Sequence, residues 1–301
     1  MFNISPQLKL VTHNGSFHAD DIFAAATLSL VLEKQGKKFE IIRTRDEDVI
    51  QKGDYVFDVG GIYDADKNRF DHHQNGGAGK RENGIEYASI GLVWQKFGIE
   101  LCDSQKATDI IDKRLIAPID AGDNGMDLVE SKFDVFPYII QNVFGSMRPT
   151  WREKNLKEDE VFITCVEIAK NILRREIVQA NDAILGDEAI FSIYEKTEDK
   201  RIIVLDDTYP FEYILHNYAE PLYVVYPRSD KKTWGAKSIR ENWNSFKNRK
   251  NFPEAWAGLK NEDLAKVSGV PDAVFCHRGL FMAVANSREG AIKLAQIALE
   301  S

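Results

Sequence analysis

The sequence predicts an α/β protein: a doubly wound, mostly parallel sheet in a first domain, then a smaller α/β domain from about residue 187. Three observations lead there. At 301 residues the chain exceeds the usual size of one domain. Over its first half, short apolar runs alternate with stretches of helical period, the order of parallel strands joined by crossover helices. Polar clusters follow those apolar runs, where open α/β sheets place their ligands.

Taken in order, "LKLVTHN" reads as a short strand, and "DDIFAAATLSLVLEKQG" as a helix that stops at Gly36. "FEIIRTR" and "DYVFDVGG" are strand-like, each ending in polar or glycine residues. Helical stretches run from about Tyr87 to Phe97 and from Ser104 to Leu115, ahead of "IDAGDNG". From Glu158 to Leu185 an apolar helical pattern passes without a turn signal, which predicts a long connector. After Gly186 the texture changes to the shorter strands "AIFSIYE", "RIIVLD", "PLYVVYP", "AVFCH" and "LFMAVA". A last helix, "SREGAIKLAQIALE", has Ser287 as its N-cap. Domains are therefore expected at 1–186 and 187–301.

Composition narrows the functions open to such a fold. No apolar run approaches the roughly 20 residues of a membrane span. The N-terminus lacks the order of a secretory signal or a transit peptide. A soluble, cytoplasmic protein without membrane partners is the expectation. Cys102, Cys165 and Cys276 are far apart and odd in number, against a disulfide framework or a thiolate zinc site. The net charge of −8 gives no overall pull toward nucleic acid. From Tyr226 to Lys250, however, eight basic and two acidic residues give a local net of +6, which any polyanion would meet first. A solvated lysine-rich face is the plainer reading of that stretch.

Four of the six histidines fall in the first 73 residues, at His13, His18, His72 and His73. They keep company with Asp20, Asp21, Asp58, Asp71, Asp120 and Asp123, in groups expected to end four strands: "LVTHNGSFHADD", "YVFDVGG", "RFDHHQ" and "LIAPIDAGDNG". A single aspartate after a strand is usually a turn or a cap, and Asp20 with Asp21 could simply open a helix. Caps do not account for four histidines beside them. His216 and His277 read as ordinary surface or core residues. Gathered without a cation, the carboxylates would repel and take up protons; a divalent metal removes that penalty. Imidazole and carboxylate donors without thiolate suit Mn²⁺, Fe²⁺ or Zn²⁺ better than Mg²⁺. The donors exceed what one ion needs, so two ions about 3.5–4 Å apart are expected.

In this order, "HNGSFHADD", "DVGG", "FDHH" and "DAGDNG" resemble the DHH phosphoesterase superfamily, which includes RecJ-type exonucleases, oligoribonucleases and manganese-dependent pyrophosphatases. More closely, "THNGSFHADDIFAAATL", "DVGGIYD…RFDHHQ" and "FCHRGLFMAVANSREGAIKLAQIAL" look like the melanocyte-proliferating-gene (MYG) family of metal-dependent hydrolases, from about Leu10 to Leu299. The resemblance implies two divalent ions, manganese first, held by His13, His18, Asp20, Asp58, His72 and Asp123. His18 stands where an aspartate is usual, and Asp58 matches the bridging carboxylate. Asp120 is an alternative to Asp123, and Asp71 would orient its loop or a histidine. Adjacent side chains diverge in extended backbone, so His72 can face the metal while His73 meets the substrate phosphate.

The resemblance also implies a substrate-binding second domain. His277 and Arg278 stand at the matching loop, which lacks the usual run of glycines. "KKTWGAKSIR" adds Lys232, Trp234, Lys237 and Arg240 to hold phosphates and stack a base. The expected function is a metal-dependent phosphodiesterase, a 3′-to-5′ exonuclease or oligonucleotidase on single-stranded RNA, with homodimer formation left open. The rivals are a small-molecule phosphatase, pyrophosphatase or cyclic dinucleotide hydrolase, and a metal-stabilised binding protein without turnover.

Overall fold

The computed structural model describes residues 7–230, 232–242 and 245–301. Residues 1–6, and Lys231 of the basic segment, lie outside them. The chain divides into two compact units, Met1–Asn181 and Asp182–Ser301.

In the first unit β1 (Leu8–Thr12) leads into α1 (Ala19–Lys34), then β2 (Phe39–Arg43), α2 (Glu47–Gln51) and β3 (Tyr55–Phe57). Two short strands, β4 (Tyr63–Asp64) and β5 (Arg69–Phe70), complete a sheet of order β2-β1-β3-β5-β4. Its pairings are parallel except that between β4 and β5. The carboxyl ends of β1, β3 and β5 are therefore neighbours, and His13, Asp58 and Asp71 come next in the chain after Thr12, Phe57 and Phe70.

Helix α1 is buried from Ala19 to Leu32, round its whole circumference. Its alanines and aliphatic residues leave no polar face for solvent, the composition of a helix at the centre of a core. Phe23 meets Phe144 edge-on at 5.7 Å between ring centroids. Beyond it come α3 (Ser89–Cys102) and α4 (Gln105–Ile111), the latter capped by Ser104, whose hydroxyl accepts the Ala107 N–H. One π-helical stretch, Asp112–Ile116, joins α4 to α5 (Ala117–Asp123), and α6 (Ile140–Gly145) follows.

The fourth polar group thus ends a helix, where a strand end was expected. Buried Ile116, Ala117, Ile119 and Ala121 are core residues of a helical turn, and Pro118 in its first turn suits a helix start.

Helix α7 (Glu158–Lys196) is 39 residues long and runs past Gly186, so "AIFSIYE" is helical and corrects the strand expected there. Ile190 and Tyr194 are buried while Ser192, which a strand would place on the same face, is exposed. The second unit continues with β6 (Ile202–Val204), β7 (Tyr223–Pro227), β8 (Trp234–Ser238), α8 (Asn261–Ser268), β9 (Ala273–Cys276), β10 (Met282–Ala285) and α9 (Arg288–Glu300). The sheet order is β6-β7-β8-β10-β9, parallel only between β6 and β7. Ser287 caps α9 by accepting the Gly290 N–H at 2.9 Å.

Within the first unit, Gly91 of α3 lies against Asp120 of α5. Its N–H donates to Asp120 Oδ1 at 3.0 Å, and a Cβ there would come 2.0 Å from Asp120 Oδ2 and 2.8 Å from Tyr87 Cδ1. Gly91→Ala is expected to destabilise the protein by about 1–3 kcal/mol through this overlap. Urea unfolding should show a lower midpoint at unchanged slope.

Candidate metal centre

Each part of the site is held by the element before it. His13 follows β1 and is buried; its Nε2 lies 3.1 Å from Asp58 Oδ2 and 3.4 Å from Asp21 Oδ2. Asp58 ends β3 in the left-handed region (φ 53°), a conformation that costs an ordinary side chain and clusters at functional sites. Its Oδ1 lies 3.4 Å from His72 Nε2, which is also 3.2 Å from Asp123 Oδ2. Asp20 and Asp21 open α1, fully buried; the Ser89 N–H donates to Asp20 Oδ2 and the His18 N–H to Asp21 Oδ1.

These side chains form three overlapping sets whose ligand atoms lie within 4.8 Å of one another: His13, His18 and Asp58; Asp58, His72 and His73; Asp20, His72 and Asp123. Asp58 and His72 each belong to two sets. A cation fits here on direct grounds: Asp20 Oδ1, Asp21 Oδ2 and His72 Nε2 are buried without a hydrogen-bond partner, and the donors are imidazoles and carboxylates only.

The electrostatics agree with that reading. Burial drives the Asp20 carboxyl well above its ordinary range, and Asp58 and Asp123 add to the effect. Burial with Asp58 lifts Asp21 to about 7. Burial alone would raise Asp58, but the His13 and His72 imidazoles beside it hold it below the carboxylate range. For His72 burial alone would lower the pKa, but Asp123 and Asp58 raise it to about 10. Burial and the Arg148 charge lower His18. Without a cation, protons take the place of positive charge in this cluster.

His72 and His73 have different partners, although their rings stay 4.2 Å apart. His73 Nδ1 lies 2.8 Å from Asp71 Oδ1 and its N–H donates to the same oxygen, while the Gly61 N–H donates to Asp71 Oδ2. The Asp71 hydrogen bond raises the His73 pKa. The His73 side chain is 61% exposed and lines a cavity of about 1060 Å³ with His13, His18, Asp58 and Asp123. Arg45 and Arg148 line it too.

Sequence reasoning missed both arginines, since neither lies in a recognisable motif; Arg148 follows α6 by three residues. It grouped Asp21 with the other carboxylates without giving it a ligand role; the His18 N–H makes it a helix opener, and its Oδ2 lies 3.4 Å from His13 Nε2.

Asp120 and Asp123 separate cleanly. Asp120 is buried, accepts from Arg81 Nη1 at 2.6 Å and from Gly91, and belongs to none of the three sets. Arg81 also pairs with Asp112, at 2.6 and 2.9 Å.

In the second unit, Lys237 pairs with Glu212, Lys247 with Glu241 at 2.8 Å, and Arg249 and Lys250 donate to backbone carbonyls. Trp234 is half-buried against the core of that unit, Arg240 lies over the Phe246 ring, and His277 Nδ1 accepts the Gly279 N–H. Arg278 and Lys232 are exposed.

Asp123→Ala is expected to lower bound metal per chain. Asp120→Ala should leave metal content intact and cost about 3 kcal/mol, because Arg81 loses one of its two carboxylates. Elemental analysis of dialysed protein and urea unfolding, run on both variants, separate the two outcomes.

A family profile described as MYG1 exonuclease, uncharacterised protein family UPF0160, matches residues 9–299. The MYG1 protein of Caenorhabditis elegans is 31% identical over 96% of this chain and 94% of its own length. The MYG1 protein of Chlamydia pneumoniae is 31% identical over 96% of each chain. The MYG1 exonuclease of Homo sapiens is 28% identical over 97% of this chain and 85% of its own. A crystal structure of exonuclease RecJ bound to manganese aligns with 97% of this chain and 90% of its own at 13% identity and a TM-score of 0.28, a distant likeness. With its profile match spanning nearly every residue, the chain belongs to the MYG1 exonuclease family, the one its motifs resemble.

Proposed function

We propose that this protein is a divalent-metal-dependent phosphodiesterase that trims short single-stranded nucleic acid, RNA first, from the 3′ end. The observation that carries the reading is the set of overlapping ligand groups sharing Asp58 and His72 at one wall of a cavity that also holds two arginines. The names of the bovine and human relatives, MYG1 exonuclease, support the reaction class.

In this reading His13, His18 and Asp58 would hold one ion and Asp20, His72 and Asp123 the other, with Asp58 and His72 each belonging to two of the candidate sets. Bound there, a pair of divalent ions, manganese by preference, supplies an activated water and neutralises charge on the phosphate. The rest falls to the chain. Asp71 fixes the His73 ring and stabilises its proton at Nδ1, so a cationic imidazole faces the cavity and meets the phosphate oxygens as charge builds on them. Arg45 and Arg148 hold neighbouring phosphates. The second unit would add Arg240 and Arg278 as phosphate-binding groups, with Lys237 on β8 and His277 just after β9, while Trp234 begins β8 at its other end. A cavity of about 1060 Å³ is far larger than the two phosphates of pyrophosphate would fill, which favours a nucleotide strand.

Asp58→Ala is expected to lose most bound metal and all turnover of 5′-labelled short RNA. His73→Ala should retain metal while kcat falls about 10²- to 10³-fold. Equal loss of metal in both variants would make His73 a ligand and remove the assigned division of labour. Short DNA, pyrophosphate and cyclic dinucleotides assayed in parallel identify the substrate, and cleavage of pyrophosphate alone would overturn the nuclease reading.

Arg240→Gln together with Arg278→Gln, in the His73→Ala background, should weaken binding of single strands. Each phosphate that the protein no longer neutralises lowers the slope of log affinity against log salt by about 0.7.

A further inference from the structure

A second cavity, of about 580 Å³, opens beside the metal-site cavity in the same unit. Gly122 and Gln141 line both. The wall between them is thin: a Cβ on Gly122 would come 2.1 Å from Gln141 Nε2, and that amide is held by the Pro118 carbonyl at 3.0 Å. Asp123, a ligand in the reading above, follows Gly122 directly.

The two cavities differ in chemistry. The first has carboxylates, imidazoles and two arginines. The second is walled by apolar side chains, Leu128, Val129, Phe136 and Ile139 among them, with Arg114 and Asp127 as its charged members. Phe136 is 80% exposed, Val129 56% and Leu128 52%. An exposed apolar group of this kind in a soluble domain marks a binding surface. Its volume lies in the range of small-molecule sites.

A nucleotide joins an anionic phosphate to a flat, weakly polar ring within a few bonds, and it matches a charged cavity that shares a wall with an apolar one. We infer that the cavity walled by Leu128, Val129, Phe136 and Ile139 seats a nucleobase of the substrate strand while its phosphate lies at the metal centre. This inference rests on the phosphodiesterase reading and adds to it: the protein grips a base, and reads single strands because a paired base cannot enter. Phe136 supplies the stacking surface, which accepts any base because every base has a π face.

The test compares the metal-loaded protein and its Phe136→Ala and Leu128→Ala variants on three substrates. These are a 5′-labelled tetranucleotide, the same sugar-phosphate strand without bases, and methyl 4-nitrophenyl phosphate. Phe136 is exposed, so its truncation leaves the core intact. Wild type is expected to favour the base-bearing strand, and Phe136→Ala to raise KM on that strand alone by about 5- to 150-fold. Rates on the base-free strand and the small diester should not change.

Equal effects on both strands, or none on either, would overturn the base site and leave the phosphodiesterase standing. Wild-type turnover of the small diester with neither strand cleaved would overturn the nuclease reading and the base site together. A change of oligomeric state in Phe136→Ala, seen by sedimentation with base preference intact, would assign the cavity to a second copy of this chain and overturn the inference.

Discussion

The repulsion among buried carboxylates governs this molecule. Asp20, Asp21 and Asp58 are almost wholly removed from water, and Asp123 lies one imidazole away. Like charges so close cannot all stay ionised in a medium that screens them poorly. The neighbouring imidazoles resolve part of the conflict by keeping Asp58 charged, while burial, with the Asp58 charge added, drives Asp20 and Asp21 toward their neutral forms. Folding the sheet therefore creates a demand for positive charge at one place. The parallel order of β1, β3 and β5 creates it, because parallel strands end on the same edge.

Around that demand the chain separates carboxylates that could face a cation from those that hold shape. Asp120 and Asp112 are acidic and close by in sequence, yet Arg81 occupies both, and Asp120 fastens α5 to α3. Asp71 is likewise engaged by two backbone N–H groups and the His73 ring. Asp20 and Asp21 each satisfy one oxygen with a backbone N–H and leave the other, on the side of the cluster, without a hydrogen-bond partner. A buried polar atom with no protein partner is costly, and here the cost and the chemistry share an address.

Much of the site was legible in the sequence because strand ends are legible. "LVTH" and "YVFD" announce an apolar run followed by a candidate ligand, and the topology rule brings the ends together. What stayed hidden depends on contacts across the chain. Nothing near Arg148 marks it as a cavity residue; α6 carries it there. Strand β8 was missed because "WGAKS" is poor in strand formers. Gly235 is there because the Tyr226 ring lies over it, leaving 3.0 Å for any Cβ. "AIFSIYE" misled for the opposite reason, since isoleucine and aromatic residues favour strands locally, while the exposure of Ser192 between buried Ile190 and Tyr194 belongs to a helix. Choosing between Asp120 and Asp123 needed Arg81, which is about 40 positions away in the chain.

Helix α1 has one more consequence. Because it is enclosed on every side, its amides should be among the last to exchange with solvent, opening only when the whole unit does. Two carboxylates of the cluster begin that helix. The centre is thus fastened to the slowest-breathing part of the unit, and a bound ion would be released by wholesale unfolding sooner than by fraying of a loop.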